Sequence, residues 1–367
     1  MKNPWLTIIG VGESGLHYLA DVSQKRLEKA DIIIGPPRHL RLLELSGGNI
    51  LEWPVPFSEG LNQLDKHKGK RVVVLVSGDP FWYGAGAAIL RKFPLDDIEV
   101  LPGPSTFGWA AARMGWSIES ISCVGLHAKP VEHIRSLIAS KRKIIALMRD
   151  GDQVSALADY LTKIGFGKTK IHVLEALGGE NEKIREVVAE KYNLRDVLHP
   201  VCAAILVDGL GSAVPLSNGI EDNFFANDGQ ITKSPIRALT LAALAPKYGQ
   251  HLWDLGAGSG SVSIEWVLSD KSLGATAVER DPSRCAIIAQ NVKDLGLDNL
   301  SILVGSNLEL ISALRPPNAV FIGGGLTKEL MKKLWMIIPE KTRLVANSVT
   351  LETVSYTHLR AHETRIH

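Results

Sequence analysis

An acidic residue and three closely spaced glycines mark the stretch LWDLGAGSGSVSIEW, residues 252–266. Asp254 precedes Gly256, Gly258 and Gly260, which occupy alternate positions. The residues before the glycines are typical of a buried strand, and those after them are typical of a helix. A glycine turn between a strand and a helix brings backbone N–H groups close to a nucleotide-like ligand. The stretch therefore predicts a cofactor site and leaves open which cofactor binds there.

Two cofactors are compatible with such a turn, a nicotinamide dinucleotide and S-adenosylmethionine. The dinucleotide fingerprint is GxGxxG, whereas the glycines here follow the spacing GxGxG. A carboxylate at Asp254 would repel a pyrophosphate but suits the ammonium and sulfonium groups of S-adenosylmethionine. Glu279 lies about 20 residues beyond the turn, where an acid accepts hydrogen bonds from ribose hydroxyls with either cofactor. The set favours an S-adenosylmethionine-dependent transferase, with a nicotinamide-dependent dehydrogenase as the alternative.

Three consecutive glycines end a later strand in the stretch FIGGG, residues 321–325. Methylases that act on the amino groups of nucleic-acid bases place a polar residue and prolines at this point. Gly323 and Gly324 offer instead backbone N–H groups and space for a large flat substrate. We therefore expect these two glycines to contact the substrate.

The charge balance argues against nucleic acid as a partner. The chain has 41 basic and 39 acidic residues, a formal net charge of +2, whereas phosphate binding needs clustered positive charge. No apolar run approaches the roughly 18 residues of a membrane span. The three cysteines form no CxxC motif and no disulfide pattern. We expect a cytoplasmic enzyme that acts on a small molecule and binds neither nucleic acid nor a membrane.

Strand-like and helix-like segments alternate along most of the chain, which predicts an α/β fold. Residues 214–232, between two such series, contain turn formers without a sustained period and are interpreted as a linker. The first series has strands at 5–12, 31–35, 71–78, 98–103, 143–148, 170–177 and 202–208. The second has a helix at 235–244 and strands at 251–256, 274–280, 300–305, 319–324 and 343–349.

The first series contains the motifs GDPFWYG at 78–84 and LPGPSTFGWAAARMGW at 101–116. Together with IIGVGESG near the N-terminus, they resemble the tetrapyrrole methylases of the uroporphyrinogen-III and corrin type. The resemblance implies a tetrapyrrole-methylase fold of two α/β subdomains, with S-adenosylmethionine in the cleft between them. It also implies that the first glycine loop, with Gly12, faces a macrocyclic substrate. The residues carried over as cofactor-binding are Gly78, Asp79, Tyr83, Gly84, Ser105, Thr106, Met148 and Ala203.

The second series resembles the decarboxylating corrin methyltransferases, which have the Rossmann-like class I methyltransferase fold. The stretches that carry the resemblance are ITKSPIRALTLAAL, the glycine turn, VERDPSR and FIGGGL. The resemblance implies that Ser306 takes the cofactor-binding position after the third strand. Lys233 and Arg237 lie one turn apart at the start of a helix. Because a corrin-type substrate carries several carboxylates, we expect these two cations to bind it.

The two resemblances together imply an enzyme that methylates C5 and C15 of a precorrin-type tetrapyrrole and releases carbon dioxide from the C12 acetate, in cobalamin biosynthesis. Each half would bind its own S-adenosylmethionine, which makes two sites, and no metal site is expected. No catalytic side chain is assigned, because the electron-rich ring carbon itself can attack the methyl group. A cobalt-containing macrocycle remains an alternative substrate. We expect the chain to form a homo-oligomer.

The expected domains are a tetrapyrrole methylase domain over 1–213, with subdomains of about 1–115 and 116–213, and a class I domain over 233–353. Residues 354–367 show no hydrophobic periodicity and are expected to be a non-native tail. His358 and His362 in this tail are four residues apart, but two ligands at a chain end are a weak basis for a metal site. The class I sheet is therefore expected to be truncated, with its last strand as an exposed edge.

Overall fold

The computed structural model describes residues 4–347. The chain divides into two compact units, each with its own core. The first comprises Met1–Val131 and Ala139–Ser212, and the second comprises Glu132–Ile138 and Ala213–His367. Among the described residues, no helix combines the length and the apolar character needed to cross a membrane.

The first unit begins with a parallel five-stranded sheet in the order β3-β2-β4-β1-β5. Its strands are continuous runs of Ile, Leu and Val because helices cover both faces of the sheet. In β4, for example, five of the six residues are buried. The strands are β1 (Leu6–Val11), β2 (Ile32–Gly35), β3 (Ile50–Glu52), β4 (Val72–Ser77) and β5 (Ile98–Leu101). The helices are α1 (Asp21–Glu28), α2 (Pro37–Leu42), α3 (Phe57–Leu64), α4 (Gly86–Leu90) and α5 (Thr106–Met114).

A second sheet of the first unit is mixed, in the order β6-β7-β10-β8-β9. Its strands are β6 (Ser122–Gly125), β7 (Lys143–Met148), β8 (Lys170–Glu175), β9 (Lys183–Val188) and β10 (Val201–Leu206). Helix α6 (Gly151–Lys163) connects β7 to β8. Helix α5 packs on this sheet, where Phe107 and Ala110 join a core with Ile145, Leu174 and Cys202. The sequence did not predict β6 or β9, because neither forms a buried apolar run.

The second unit is a parallel five-stranded sheet in the order β13-β12-β11-β14-β15. The chain runs from β11 outward to β13 and then returns to pair β14 on the other side of β11. In open α/β sheets, ligands bind at the point where the strand order reverses in this way. The elements are α7 (Ser234–Leu244), β11 (His251–Leu255), α8 (Ser261–Ser269), β12 (Gly274–Glu279), α9 (Pro282–Asp294), β13 (Leu300–Val304), α10 (Asn307–Leu310), β14 (Ala319–Ile322), α11 (Lys328–Ile337) and β15 (Arg343–Ala346). The α/β fold class predicted from the sequence is confirmed.

The segment 214–232, interpreted as a linker, differs from that expectation because it packs against the second unit. Val214, Ile220 and Phe225 are buried in the core of this unit. The apolar positions are irregularly spaced among turn formers, so they give no periodic signal. At the other end of the unit, β15 is the outermost strand of the sheet. The expectations for residues 354–367, including His358 and His362, lie outside the described residues.

Candidate cofactor and substrate sites

The glycine turn after β11 packs directly against the glycines after β14. Gly256 has φ of +70°, and a Cβ on it would lie 2.6 Å from the carbonyl oxygen of Gly324. A Cβ on Gly323 would lie 2.9 Å from the carbonyl oxygen of Gly256. Contacts this short exclude any side chain, so both turns require glycine. The two motifs that were singled out separately in the sequence therefore form one floor.

A cavity of about 900 Å³ opens above this floor at the reversal of strand order. Its volume lies at the upper end of the range for small-molecule sites. Among the residues that line the cavity, the sequence had indicated Lys233, Gly256, Gly258, Glu279, Ser306, Gly323 and Gly324. Asp254, Gly260 and Arg237 do not belong to its lining.

Glu279 is the acidic group of this cavity, at the end of β12. The N–H of Gly258 donates to its Oε2 over 2.9 Å, and the N–H of Asp281 donates to its Oε1 over 3.1 Å. These two bonds hold the carboxylate in one orientation, and the side chain is only 5% exposed. A carboxylate fixed in this way can accept hydrogen bonds from the hydroxyl groups of a ribose.

Asp254 lies beneath the turn and not on the cavity wall. It is fully buried, and its Oδ2 accepts the N–H of Ser263 over 3.1 Å. Its Oδ1 has no hydrogen-bond partner among the described residues. Burial raises the pKa of this carboxyl to about 6, and the charge of Glu279 acts in the same direction. A buried carboxylate without a full set of partners favours a nearby cation and disfavours a phosphate.

Gly260 supports the turn from behind. It caps α8 with φ of +73°. A Cβ there would lie 2.8 Å from Cγ2 of Ile288 on α9. The third glycine of the motif therefore provides close packing between α8 and α9, and it does not contact the cavity.

Arg237 was expected to bind substrate carboxylates, and the structure corrects this. Its side chain is fully buried, and its Nε donates to Oε1 of Glu265. Its other nitrogens donate to Asp222 Oδ1 and to the carbonyl oxygens of Ile220 and Thr232. The guanidinium thus fastens segment 214–232 to α7 and α8. The sequence could not show this, because the acidic partners lie 15 and 28 residues away along the chain.

Lys233 is exposed at the cavity, in contrast to Arg237. Its side chain is 66% exposed, and its Nζ lies 3.4 Å from Oδ2 of Asp222. The binding of a substrate carboxylate by Lys233 stays a prediction.

Several cavity residues were missed by the sequence analysis. Asn307 follows Ser306 at the start of α10 and donates from Nδ2 to the carbonyl oxygen of Gly324 over 3.3 Å. Arg284 lines the cavity from α9 and donates to Asp228 over 2.8 Å. Thr327 caps α11 and also lines the cavity. All three lie near the carboxyl ends of strands, which is the positional signal that could have identified them.

In the first unit, the ends of three strands contact one another through main-chain atoms. A Cβ on Gly10 would lie 1.9 Å from the carbonyl oxygen of Gly78 and 2.4 Å from the nitrogen of Gly103. The N–H of Gly103 donates to the carbonyl oxygen of Gly78 over 3.1 Å. A Cβ on Gly78 would in turn lie 3.6 Å from Cα of Ser105 and 3.8 Å from the nitrogen of Thr106. The GDP and PGPST motifs are therefore in contact.

The GDPFWYG loop folds back on itself around Asp79. Oδ1 of Asp79 accepts the N–H of Phe81 over 2.8 Å, which forms a tight local turn. A Cβ on Gly84 would lie 2.6 Å from the carbonyl oxygen of Pro80. Tyr83 has φ of +59° and is 50% exposed. The loop is therefore shaped by its own backbone, and two of its aromatic side chains, Phe81 and Tyr83, are about half exposed.

The remaining predicted residues of the first unit have different surroundings. Ser105 caps α5 by accepting the N–H of Gly108 over 3.0 Å. Met148 and Ala203 are almost fully buried, at the end of β7 and within β10. Gly12 has open space around it, since a Cβ there would meet only Oγ of Ser14, at 3.7 Å. The cofactor contacts predicted for the first unit, and the substrate contact predicted for Gly12, stay predictions.

The family model of Tetrapyrrole (Corrin/Porphyrin) Methylases matches residues 5–192, and that of the Precorrin methyltransferase domain matches residues 223–365. Together with the two sheets that end in glycine turns, these matches define a class of methyltransferase in which a tetrapyrrole methylase is joined to a precorrin methyltransferase domain.

Three curated relatives refine this class. A precorrin-6Y C(5,15)-methyltransferase (decarboxylating) from Sinorhizobium sp is 38% identical over 355 residues, which are 95% of this chain and 86% of that protein. A cobalt-precorrin-7 C(5)-methyltransferase from Salmonella typhimurium is 26% identical over 179 residues, 49% of this chain and 88% of that protein. A probable cobalt-precorrin-6B C(15)-methyltransferase (decarboxylating) from Saccharolobus solfataricus is 33% identical over 144 residues, 37% of this chain and 72% of that protein.

The chain belongs to the family of decarboxylating precorrin-6Y C(5,15)-methyltransferases. It is therefore a methyltransferase of an S-adenosylmethionine-dependent family. This selects methyl transfer over the hydride transfer that the glycine turn had left open.

Proposed function

We propose that this chain methylates C5 and C15 of a precorrin macrocycle and decarboxylates its C12 acetate, with one S-adenosylmethionine site in each unit. The observation that carries the proposal is the combination of two separate glycine-lined sites with a relative that is similar over 95% of the chain. The products belong to cobalamin biosynthesis.

The second unit supports one cofactor site through its acidic pair. Glu279 presents a fixed carboxylate to the cavity, and Asp254 places a second, buried carboxylate beneath the turn. These groups suit a ribose and a cationic amino-acid moiety, and they disfavour a diphosphate. Gly256 and Gly258 would allow the cofactor to approach the backbone. Ser306 lines the same cavity and would contact the adenine side.

The first unit supports the other cofactor site through main-chain groups. Gly78 and Gly103 bring the GDP and PGPST motifs together, and Tyr83 displays its ring beside them. The residues that would hold the cofactor are Gly78, Asp79, Tyr83, Gly84, Ser105 and Thr106, with Met148 and Ala203 behind them.

Methyl transfer requires the protein to align the two reactants more than to provide acid–base catalysis. S-adenosylmethionine supplies an electrophilic methyl group when it is bound. Because the ring carbon of the macrocycle is the nucleophile, no side chain has to generate one. The chain's residues hold the reactants in line and exclude water. Gly323 and Gly324 would give the flat ring access to the second site, and Lys233 would bind one of its carboxylates.

The names of the shorter relatives support a division of labour. The relative named a C(5)-methyltransferase matches 179 residues, close to the length of the tetrapyrrole methylase match at 5–192. The relative named a decarboxylating C(15)-methyltransferase matches 144 residues, close to the length of the match at 223–365. We infer that the first unit methylates C5 and that the second methylates C15 and decarboxylates.

The substrate is proposed to be free of cobalt. The relative that is similar along nearly the whole chain is named for precorrin-6Y, whereas both shorter relatives are named for cobalt-precorrins. Parallel assays with the cobalt-free and cobalt-containing macrocycles test this choice. A strong preference for the cobalt form would contradict it.

The test of the proposed function is mass spectrometry of a supplied precorrin-6-type substrate. The full chain with S-adenosylmethionine should add two methyl groups and remove one carbon dioxide. Glu279→Ala should slow the second unit's methylation, so that a singly methylated product accumulates. If the substrate keeps its original mass in the presence of S-adenosylmethionine, the proposal is contradicted.

Cys123, Cys202 and Cys285 are all free thiols, which suits a reducing compartment such as the cytoplasm. We propose a homo-oligomer, which light scattering during gel filtration would detect. A monomer at micromolar concentration would contradict this.

A further inference from the structure

A cluster of polar side chains lies at the carboxyl edge of the first sheet, outside the residues assigned so far. Arg38, near the start of α2, donates from Nη1 to Oε1 of Glu13 in the glycine loop after β1. Its Nη2 donates to Oγ of Ser77, at the end of β4, over 3.1 Å. Ser77 directly precedes Gly78. The guanidinium therefore joins two of the loops at which an open α/β sheet binds ligands.

His39 fixes one edge of the Arg38 guanidinium. Its Nε2 lies 3.0 Å from Nη2 of Arg38 and 3.2 Å from Oγ of Ser77, and the side chain is 1% exposed. Burial and the charge of Arg38 lower the pKa of His39 to about 4, so the ring is neutral at pH 7. Since a guanidinium only donates, Nε2 is assigned from this network as the acceptor. The neutral ring orients Arg38 without balancing its charge.

Glu13 balances the charge of Arg38 from the other side. The side chain of Arg38 is 27% exposed and that of Glu13 is 16% exposed, so the pair is partly buried but accessible to a ligand. A half-buried cation without a partner would carry a desolvation cost, which the Glu13 carboxylate offsets. The Glu13 group is chemically the same as the acetate and propionate groups of a precorrin.

We propose that Arg38 binds a carboxylate of the macrocycle and that Glu13 occupies this position until the substrate arrives. This inference rests on the proposed function, since it requires a polycarboxylate substrate. Exchange of one carboxylate for another keeps the charge-assisted hydrogen bonds of the guanidinium. His39 and Ser77 hold the guanidinium in place during the exchange. Burial raises the pKa of Glu13 above its ordinary value despite the opposing effect of Arg38, so burial disfavours the Glu13 carboxylate in this position.

The test is a titration of the full chain with uroporphyrin, a porphyrin octacarboxylate. Arg38→Met should weaken binding about tenfold or more, because a charge-assisted contact is lost. Glu13→Gln should leave binding unchanged or strengthen it, because a competing carboxylate is removed. Arg38→Lys keeps the charge without the planar fork and should have an intermediate effect.

A matched control comes from the same unit. Arg26 and Glu99 form an ion pair with side-chain exposures of 43% and 25%, outside the loops at the carboxyl edge. Arg26→Met should therefore bind uroporphyrin like the unchanged chain. A porphyrin with cationic side chains should bind the Arg38→Met variant at least as tightly as it binds the unchanged chain.

Three outcomes would overturn the inference. Equal weakening by Arg38→Met and Glu13→Gln would mean that the pair is only structural. Unchanged binding by Arg38→Met, with the unchanged chain binding uroporphyrin, would refute this inference alone. No binding by the unchanged chain, when S-adenosylmethionine still binds in calorimetry, would refute both the inference and the proposed substrate class.

Discussion

The two candidate cofactor sites are built from different materials. In the second unit, a fixed side chain, Glu279, faces the cavity, and a buried one, Asp254, lies beneath it. In the first unit, Gly10, Gly78 and Gly103 bring three strand ends together through main-chain contacts. Because of this difference, a single substitution should affect cofactor binding at the two sites to different extents. The second site should be sensitive to loss of a carboxylate, and the first should be sensitive to an atom added at Gly10 or Gly103.

The largest effect is expected from Gly10→Ala in the first unit. The added Cβ would lie 1.9 Å from the carbonyl oxygen of Gly78, so the backbone must move. We expect a loss of about 3 kcal/mol or more in the free energy of unfolding, measured by urea titration, together with loss of the first cofactor site. Gly12→Ala is the control, because its nearest neighbour would be 3.7 Å away, and it should cost less than about 1 kcal/mol. Equal behaviour of the two variants would contradict the main-chain account.

The next largest effect is expected from Asp254→Asn, which should raise stability and weaken cofactor binding. The folded-state pKa of about 6 exceeds the ordinary value of 3.8, so the folded state holds this proton more tightly than the unfolded state. The cofactor-free chain therefore loses stability as pH rises from about 4 to 6, by up to about 3 kcal/mol. The variant should be the more stable protein at pH 8 and should bind S-adenosylmethionine more weakly at its second site.

Unfolding of both proteins at pH 5 and pH 8 measures this effect. The advantage of Asp254→Asn should be smaller at pH 5, where the native carboxyl is largely protonated. A variant that is less stable than the unchanged chain at pH 8 would show that the charge of Asp254 stabilises the fold.

Glu279→Ala should weaken cofactor binding at the second site and should also lower the free energy of unfolding by about 1–3 kcal/mol. Two backbone N–H groups lose their acceptor, and the ribose would lose its partner. We expect roughly 10- to 100-fold weaker cofactor binding at that site and no change at the first. Glu309→Ala, an exposed acid of the same unit, is the control. Weakening of both sites in calorimetry would argue against independent sites.

The smallest expected effect separates a cap from a ligand contact in the first unit. Ser105 and Asp150 each cap a helix by accepting one backbone N–H, over 3.0 and 2.8 Å. Replacement of either by Ala should cost about 1 kcal/mol of stability. Only Ser105→Ala should also weaken the first cofactor site. If Asp150→Ala weakens cofactor binding equally, the role of Ser105 is confined to capping α5.

The sequence indicated the strand ends well and the side-chain surroundings less well. The spacing around Gly256 and the position of Glu279 follow from the chain itself, because turn and strand end are local features. Arg237 could not be placed, because its buried partners Asp222 and Glu265 are brought to it by tertiary packing. The packing of segment 214–232 was not predicted, because isolated apolar residues give no periodic signal.

The first unit shows the same limit in another form. The GDP and PGPST motifs were found as neighbours of strands, but their contact depends on close approach of Gly10, Gly78 and Gly103. The pairing of Arg38 with Glu13 also joins residues 25 positions apart. Such contacts depend on the order of strands in the sheet, which the alternation of strands and helices does not determine.

Calorimetric titration of the intact chain with S-adenosylmethionine tests most directly whether each unit holds its own cofactor. We expect two binding events for the unchanged chain. In Glu279→Ala one event should be roughly 10- to 100-fold weaker, and the other should be unaltered in affinity. A single event in the unchanged chain, or disappearance of both events in a Glu279→Ala variant that remains folded, would contradict it.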